Sequence, residues 1–337
     1  MNSLDSFITP FWGRSFISFF YFNSSLKLQT KITISLVLLL SLFIVYILIF
    51  FRSGLNTLRV KPDHELIEYQ LITEDLEQRR NYFTWIGQAT ILLDIDGTTF
   101  LFDPIFSERA SPFTFIGPKR NIPPAIDIDN LPMIDYVFIS HNHYDHLDID
   151  SLIKLSQLNP LTVFNVPKGD KKLLSSNSIV NVNEYEWWES KYLDDATFTF
   201  TPSNHWSARG LFDRKRSLWG GWHIQHKTKS IINIGDTAVD DVFQEFSTKL
   251  GRFDIAFLPI GSYSPREIEA EYHVDPIEAF ELAKTLNAQL TIGMHWGGIF
   301  FVQEPTYEPL EIILELNNAN PSVNFQTPLP GIVINLD

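Results

Sequence analysis

The chain has 337 residues, 45% of them apolar and 14% aromatic, enough to bury a full core, and a charged fraction of 20% argues against extended disorder. A net charge of −14 counts against nucleic acid as a partner, because phosphate backbones are bound by basic surfaces. The absence of cysteine excludes disulfides, thiol nucleophiles and thiolate metal sites.

Residues 1–31 form an N-terminal segment rich in aromatic side chains, among them Phe11, Trp12, Phe16, Phe19, Phe20, Tyr21 and Phe22, which suit a lipid interface. Residues 32–51 then carry no charge, proline or glycine. At 1.5 Å per residue such a run crosses a hydrocarbon core of about 30 Å, so the expectation is an uncleaved single-pass transmembrane anchor and a membrane localisation. Lys27 and Lys31 before it are balanced by Arg52 and Arg59 after it, which gives the positive-inside rule no bias. Residues 52–80 read as a polar, helix-leaning tether, and residues 81–337 as one folded domain.

Short β-rich runs start at Tyr82. Strands are expected at 82–86, 90–94 and 98–102, with Asp96-Gly97 as the hairpin turn, and again at 135–140, 162–166, 197–201, 219–225, 230–234, 254–258 and 290–294. Ser264-Pro265-Arg266-Glu267 and Asp275-Pro276-Ile277-Glu278 each offer a cap residue, a proline at the first helical position and a glutamate at the third, so each is expected to start a helix. Strands with interspersed helices indicate a mixed α/β domain built as a layered sandwich.

The chemistry concentrates in Ser140-His141-Asn142-His143-Tyr144-Asp145-His146, directly after the apolar strand Tyr136-Val137-Phe138-Ile139. Four ligand-type side chains within six residues at a strand end are costly unless a cation pairs them. His141 and His143, two apart, suit one metal, and Asp145 and His146, beyond a tight turn, suit a second. Imidazole and carboxylate donors without thiolates fit catalytic zinc. His205, Asp236 and His295 each follow an expected strand, where functional side chains collect, and Gly235 before Asp236 permits close backbone approach. His273 stands before the helix start at Asp275, where it and nearby amides would favour a phosphate. Tyr144 would line the entrance. Asp103, in Phe-Asp-Pro, reads as a turn acid or as a carboxylate supporting the metal loop. His64, His223 and His226 read as structural.

The His-x-His-x-Asp-His run resembles the signature of the metallo-β-lactamase superfamily. Thr84-Trp85-Ile86-Gly87, Phe102-Asp103-Pro104, Gly117-Pro118-Lys119-Arg120, Leu218-Trp219-Gly220-Gly221-Trp222, Gly235-Asp236-Thr237, His273-Val274-Asp275-Pro276 and His295-Trp296-Gly297 are similar to the branch that holds N-acyl-phosphatidylethanolamine-hydrolysing phospholipase D. The resemblance spans about residues 82 to 310. It implies an α/β four-layer αβ/βα sandwich and two zinc ions, with His141, His143 and His205 on one zinc. Asp145, His146 and His295 would hold the other, with Asp236 bridging and Asp145 and Asp236 orienting the attacking water. His273 and Tyr144 are carried forward as substrate-binding residues. Gln88 departs from the pattern, standing where many relatives carry histidine. The implied reaction releases N-acylethanolamine from a membrane phospholipid and leaves phosphatidic acid, and an anchor would hold the site near that bilayer. The implied assembly is a homodimer. The alternative is a lactonase or another metal-dependent hydrolase of the same fold, acting on a small phosphorylated or lactone substrate.

Overall fold

A computed structural model describes residues 28–59, 66–227, 229–299 and 304–336, and the chain divides into two units, Met1–Lys61 and Pro62–Asp337. The expected aromatic-rich segment lies outside the described residues up to position 27. In the first unit, helix α1 spans Leu28–Arg59. Among the described residues, no helix is long and apolar enough to cross a membrane. This finding overturns the expected single-pass anchor at residues 32–51 and the membrane localisation drawn from it.

The second unit holds two seven-stranded sheets. The first is built from β1 (Tyr82–Gly87), β2 (Thr90–Ile95), β3 (Thr98–Phe102), β4 (Tyr136–Phe138), β5 (Val163–Pro167) and β6 (Val182–Tyr185). The second takes β7 (Ser190–Leu193), β8 (Ala196–Pro202), β9 (Gly220–His226), β10 (Lys229–Asn233), β11 (Ile255–Pro259), β12 (Leu290–Met294) and β13 (Phe325–Gln326). The final strand, β14 (Val333–Asn335), returns to the first sheet, whose order is β14-β1-β2-β3-β4-β5-β6, against β13-β12-β11-β10-β9-β8-β7 in the second. β3 to β6 run parallel, as do β10 to β13, so the C-terminal ends of the strands in each run share one edge. That is where open α/β sheets place their sites.

Aromatic side chains fill the space between the sheets. Phe138 lies 5.0 Å from Phe198 and 5.1 Å from Trp222 between ring centroids, and Phe83 lies 5.6 Å from Phe257. Each fully buried ring of this kind contributes on the order of 1.5–3 kcal/mol. β1 and β2 are buried at every position, which explains their near-continuous apolar sequence. The outer face of the first sheet is covered from α2 (Ile149–Leu158), which contributes Leu152 and Leu155, and α3 (Lys171–Ser176), which contributes Leu174.

Two short helices, α4 (Phe246–Leu250) and α5 (Arg266–Glu269), precede α6 (Pro276–Leu286), which buries Ala279, Phe280, Ala283 and Leu286 at helical spacing. With α7 (Glu308–Ala319) it packs over the second sheet, completing a helix–sheet–sheet–helix stack. This agrees with the expected sandwich. The start of α6 forms the expected capping box of Asp275 and Glu278. The start of α5 does not: Pro265 is itself the extended cap residue and no side chain caps the helix, so the expected role of Ser264 is corrected.

Candidate metal centre

The metal loop begins where β4 ends, and both sheets fix it. Asp103 accepts the Ser140 amide at 2.7 Å and the Ser140 hydroxyl at 2.6 Å. From the second sheet, the Trp222 indole donates to the Ile139 carbonyl at 2.8 Å and the Gly220 amide to the Ser140 carbonyl at 3.0 Å. Beyond Ser140 the chain turns tightly, with the amides of His146 and Leu147 both returning to the His143 carbonyl. Asp148 then ties the loop to the segment after β3 by accepting the Ser107 amide at 2.9 Å.

Strand ends supply the other donors. His205 follows β8, Asp236 follows β10 and His295 follows β12. Gly235 is required before Asp236: its φ is +68°, and a Cβ there would stand 2.5 Å from the Gly220 carbonyl oxygen and 2.8 Å from Ser140 Cβ. His295 holds φ +64° without being glycine, a strained backbone fixed by its amide donating to the Gln88 carbonyl at 3.0 Å.

The structure brings all seven expected donors together, and His273 with them. Their ligand atoms fall into three overlapping groups, each within 4.8 Å: His141, His143 and His205; Asp145, His146, Asp236 and His295; and His205, Asp236 and His273. Asp236 is the hub. Its Oδ2 lies 3.1 Å from His146 Nε2, 3.8 Å from His205 Nε2, 3.9 Å from His273 Nδ1 and 4.0 Å from His141 Nε2, while Oδ1 lies 3.3 Å from His295 Nε2.

Outer contacts orient several of the rings. His146 Nδ1 donates to Asp103 at 2.8 Å and His205 Nδ1 to the Tyr272 carbonyl at 2.9 Å, so each turns its Nε2 inward toward the cluster. Burial and neighbouring imidazoles hold His141 well below its ordinary pKa, and burial with His205 beside it pushes His143 down to about 3. Those rings are neutral at physiological pH, as metal ligands must be. Burial acts to lower His146 too, yet the carboxylates of Asp236, Asp145 and Asp103 overcome it and hold that ring well above its usual range. The cluster thus draws positive charge inward. His143 Nε2, Asp236 Oδ1, His273 Nδ1 and His295 Nδ1 are buried without hydrogen-bond partners, and a polar atom so placed costs about 1–3 kcal/mol unless something satisfies it. Cations fit these residues.

His273 stands beside the hub, but the phosphate-binding amides expected near it are already used, since the capping box engages the Asp275 and Glu278 amides. Tyr144 is half-buried, and its hydroxyl donates to the Arg209 carbonyl at 3.0 Å. Two further residues support the donors: Gln88, marked in the sequence only as a departure from the family pattern, and Arg209, which escaped the sequence reading. Gln88 donates to Asp145 Oδ2 at 3.0 Å and accepts the Ile299 amide at 2.9 Å, so its side chain braces one donor group. Arg209 grips the metal loop at both ends, through the carbonyls of Asn142 at 3.0 Å and Leu147 at 2.7 Å. Nothing in its local sequence announces that role.

Two sheets with a polyhistidine and carboxylate cluster at one edge define a class, and residues 98–296 match the beta-lactamase superfamily domain. The chain belongs to the metallo-β-lactamase superfamily and is a hydrolase of that superfamily. It is 37% identical over 269 residues to N-acyl-phosphatidylethanolamine-hydrolyzing phospholipase D 1 of Caenorhabditis elegans, covering 76% of each chain. It is 36% identical over 238 residues to the mitochondrial N-acyl-phosphatidylethanolamine-hydrolyzing phospholipase D of Saccharomyces cerevisiae, covering 68% of this chain and 50% of that one. Among solved structures, a possible metal-dependent hydrolase from Veillonella parvula shares the fold with a TM-score of 0.61 at 17% identity, over 76% of this chain and all of that one. Within the superfamily, the identity to the worm protein puts the chain in the family of that relative.

Proposed function

We propose that this protein is a dinuclear zinc phosphodiesterase that cleaves N-acyl-phosphatidylethanolamine to N-acylethanolamine and phosphatidic acid. One observation carries the reading: Asp236 stands between two groups of donors, the arrangement in which one carboxylate serves two cations at once. The substrate class follows from the names of the worm and yeast relatives.

His141, His143 and His205 would hold one ion, and Asp145, His146 and His295 the other, with Asp236 shared. Bound there, zinc supplies Lewis acidity and brings the pKa of water from 15.7 to about 7. Asp145, fixed by Gln88, orients the attacking water and accepts a hydrogen bond from it. The water oxygen bonds to phosphorus while the bond from phosphorus to the ethanolamide oxygen breaks, and the departing oxygen takes up a proton. His273, with a ring nitrogen free beside the hub, donates to a phosphate oxygen as charge builds on it.

The test is product analysis. Purified protein is incubated with N-acylated and with ordinary phosphatidylethanolamine, with and without a chelator. N-acylethanolamine and phosphatidic acid should form, stop with chelator and return with zinc, with two zinc ions per chain by elemental analysis. Chelator-insensitive turnover, or hydrolysis of lactones in place of phospholipid, would overturn the proposal.

A further inference from the structure

Two loops beside the metal centre expose large apolar side chains that the rest of the domain would bury. In the loop between β3 and β4, Phe113 is 54% exposed and Phe115 77%, and their rings pack on each other at 5.7 Å. In the loop between β8 and β9, Leu211 and Phe212 are each 86% exposed. Neither tip is loosely held. The first loop is closed at its base by the Ala110 amide on the Pro118 carbonyl at 3.0 Å and by Arg109 on the Gly117 carbonyl at 2.7 Å. The second is closed by Asp213, which accepts the amides of Arg209 and Gly210.

Both loops meet at Tyr144 in the metal loop. Its ring packs on Ile105 and Ala110 from the first, while Arg209 of the second stacks on that ring at 4.0 Å. Charge adds direction. Arg214-Lys215-Arg216 is the only run of three basic residues in a chain of net charge −14, and all three are exposed. The one acid of that loop, Asp213, is spent on its own backbone.

We propose that these two loops dock the domain peripherally on an anionic lipid surface, the apolar tips entering the acyl boundary and the basic run pairing with phosphate headgroups. Apolar tips with flanking cations are what such an interface binds, and the cations act within a Debye length of the headgroups. A second copy of the chain meets this patch poorly, since a two-fold contact would set basic run against basic run. No crossing helix is involved. The inference rests on the lipid-substrate reading for its purpose, but its test needs no turnover.

Full-length protein is floated with phosphatidylcholine vesicles with and without phosphatidic acid. The parent should bind the anionic vesicles, less so as salt rises. Phe113→Ser/Phe115→Ser, Leu211→Ser/Phe212→Ser and Arg214→Glu/Lys215→Glu should each weaken that binding about tenfold or more, with thermal stability and metal content unchanged. Variants that bind as tightly as the parent overturn the proposal, as does a loss of self-association by light scattering with vesicle binding intact. Docking lost in the variants while the parent cleaves no phospholipid sinks the phospholipase reading alone, whereas cleavage with docking unchanged sinks only this one.

Discussion

Asp236 contacts five imidazoles, and no other carboxylate of the cluster reaches so many. Asp236→Asn keeps the shape and removes the charge, so metal content should fall for both ions and turnover with it; full activity with metal lost would refute the assignment. Asp103 touches no proposed ion but fixes the His146 tautomer. Asp103→Asn should therefore lower metal affinity by roughly 10–100-fold while leaving the fold intact, read by metal titration beside circular dichroism. His223 supplies a separate test away from the centre. It is buried on β9, bonded to Ser230 at 2.9 Å, and burial pushes its pKa down to about 4. A depressed folded-state value means the stability is fully present above the unfolded value near 6.5 and is lost as pH falls through about 4. Denaturant midpoints should drop across that window, and His223→Gln should flatten the drop.

At the scale of elements, the strand ends decide what the sequence disclosed. The donors were legible because histidine and aspartate directly after apolar β-runs are expensive anywhere except at a cation. Gln88 and Arg209 were not, because their work lies in contacts with residues far along the chain, and no local pattern encodes those. Strands β6, β7, β13 and β14 also went unread. β7 alternates between exposed and half-exposed positions and β13 is two residues long, so neither carries an apolar signal of its own. Their pairing is supplied by neighbouring strands. The turn from β10 into Asp236 shows how tightly one element can be specified. Gly235→Ala puts a methyl against the Gly220 carbonyl in a left-handed backbone, and should cost about 1–3 kcal/mol with a matching drop in Tm. An unchanged Tm would mean the strand end can shift.

For the molecule as a whole, the donor cluster draws residues from the strand ends of both sheets, so ions held there would clasp the two together. Chelator should lower Tm, by an amount that grows with the free-metal concentration being removed, since a ligand present at 100 times its Kd stabilises by about 2.7 kcal/mol. A Tm indifferent to chelator would mean that the sheets hold the cluster without ions. The donors enter in the order of the chain: four in the loop after β4, then one each after β8, β10 and β12. During synthesis on a ribosome, the donors proposed for the first ion would be complete at residue 236, but those for the second only once residue 295 had emerged, by which point six of the seven strands of each sheet have been made. Capture of the second ion would thus mark the end of assembly, and a chain cut short before β12 would keep the first donor set but leave the second site open.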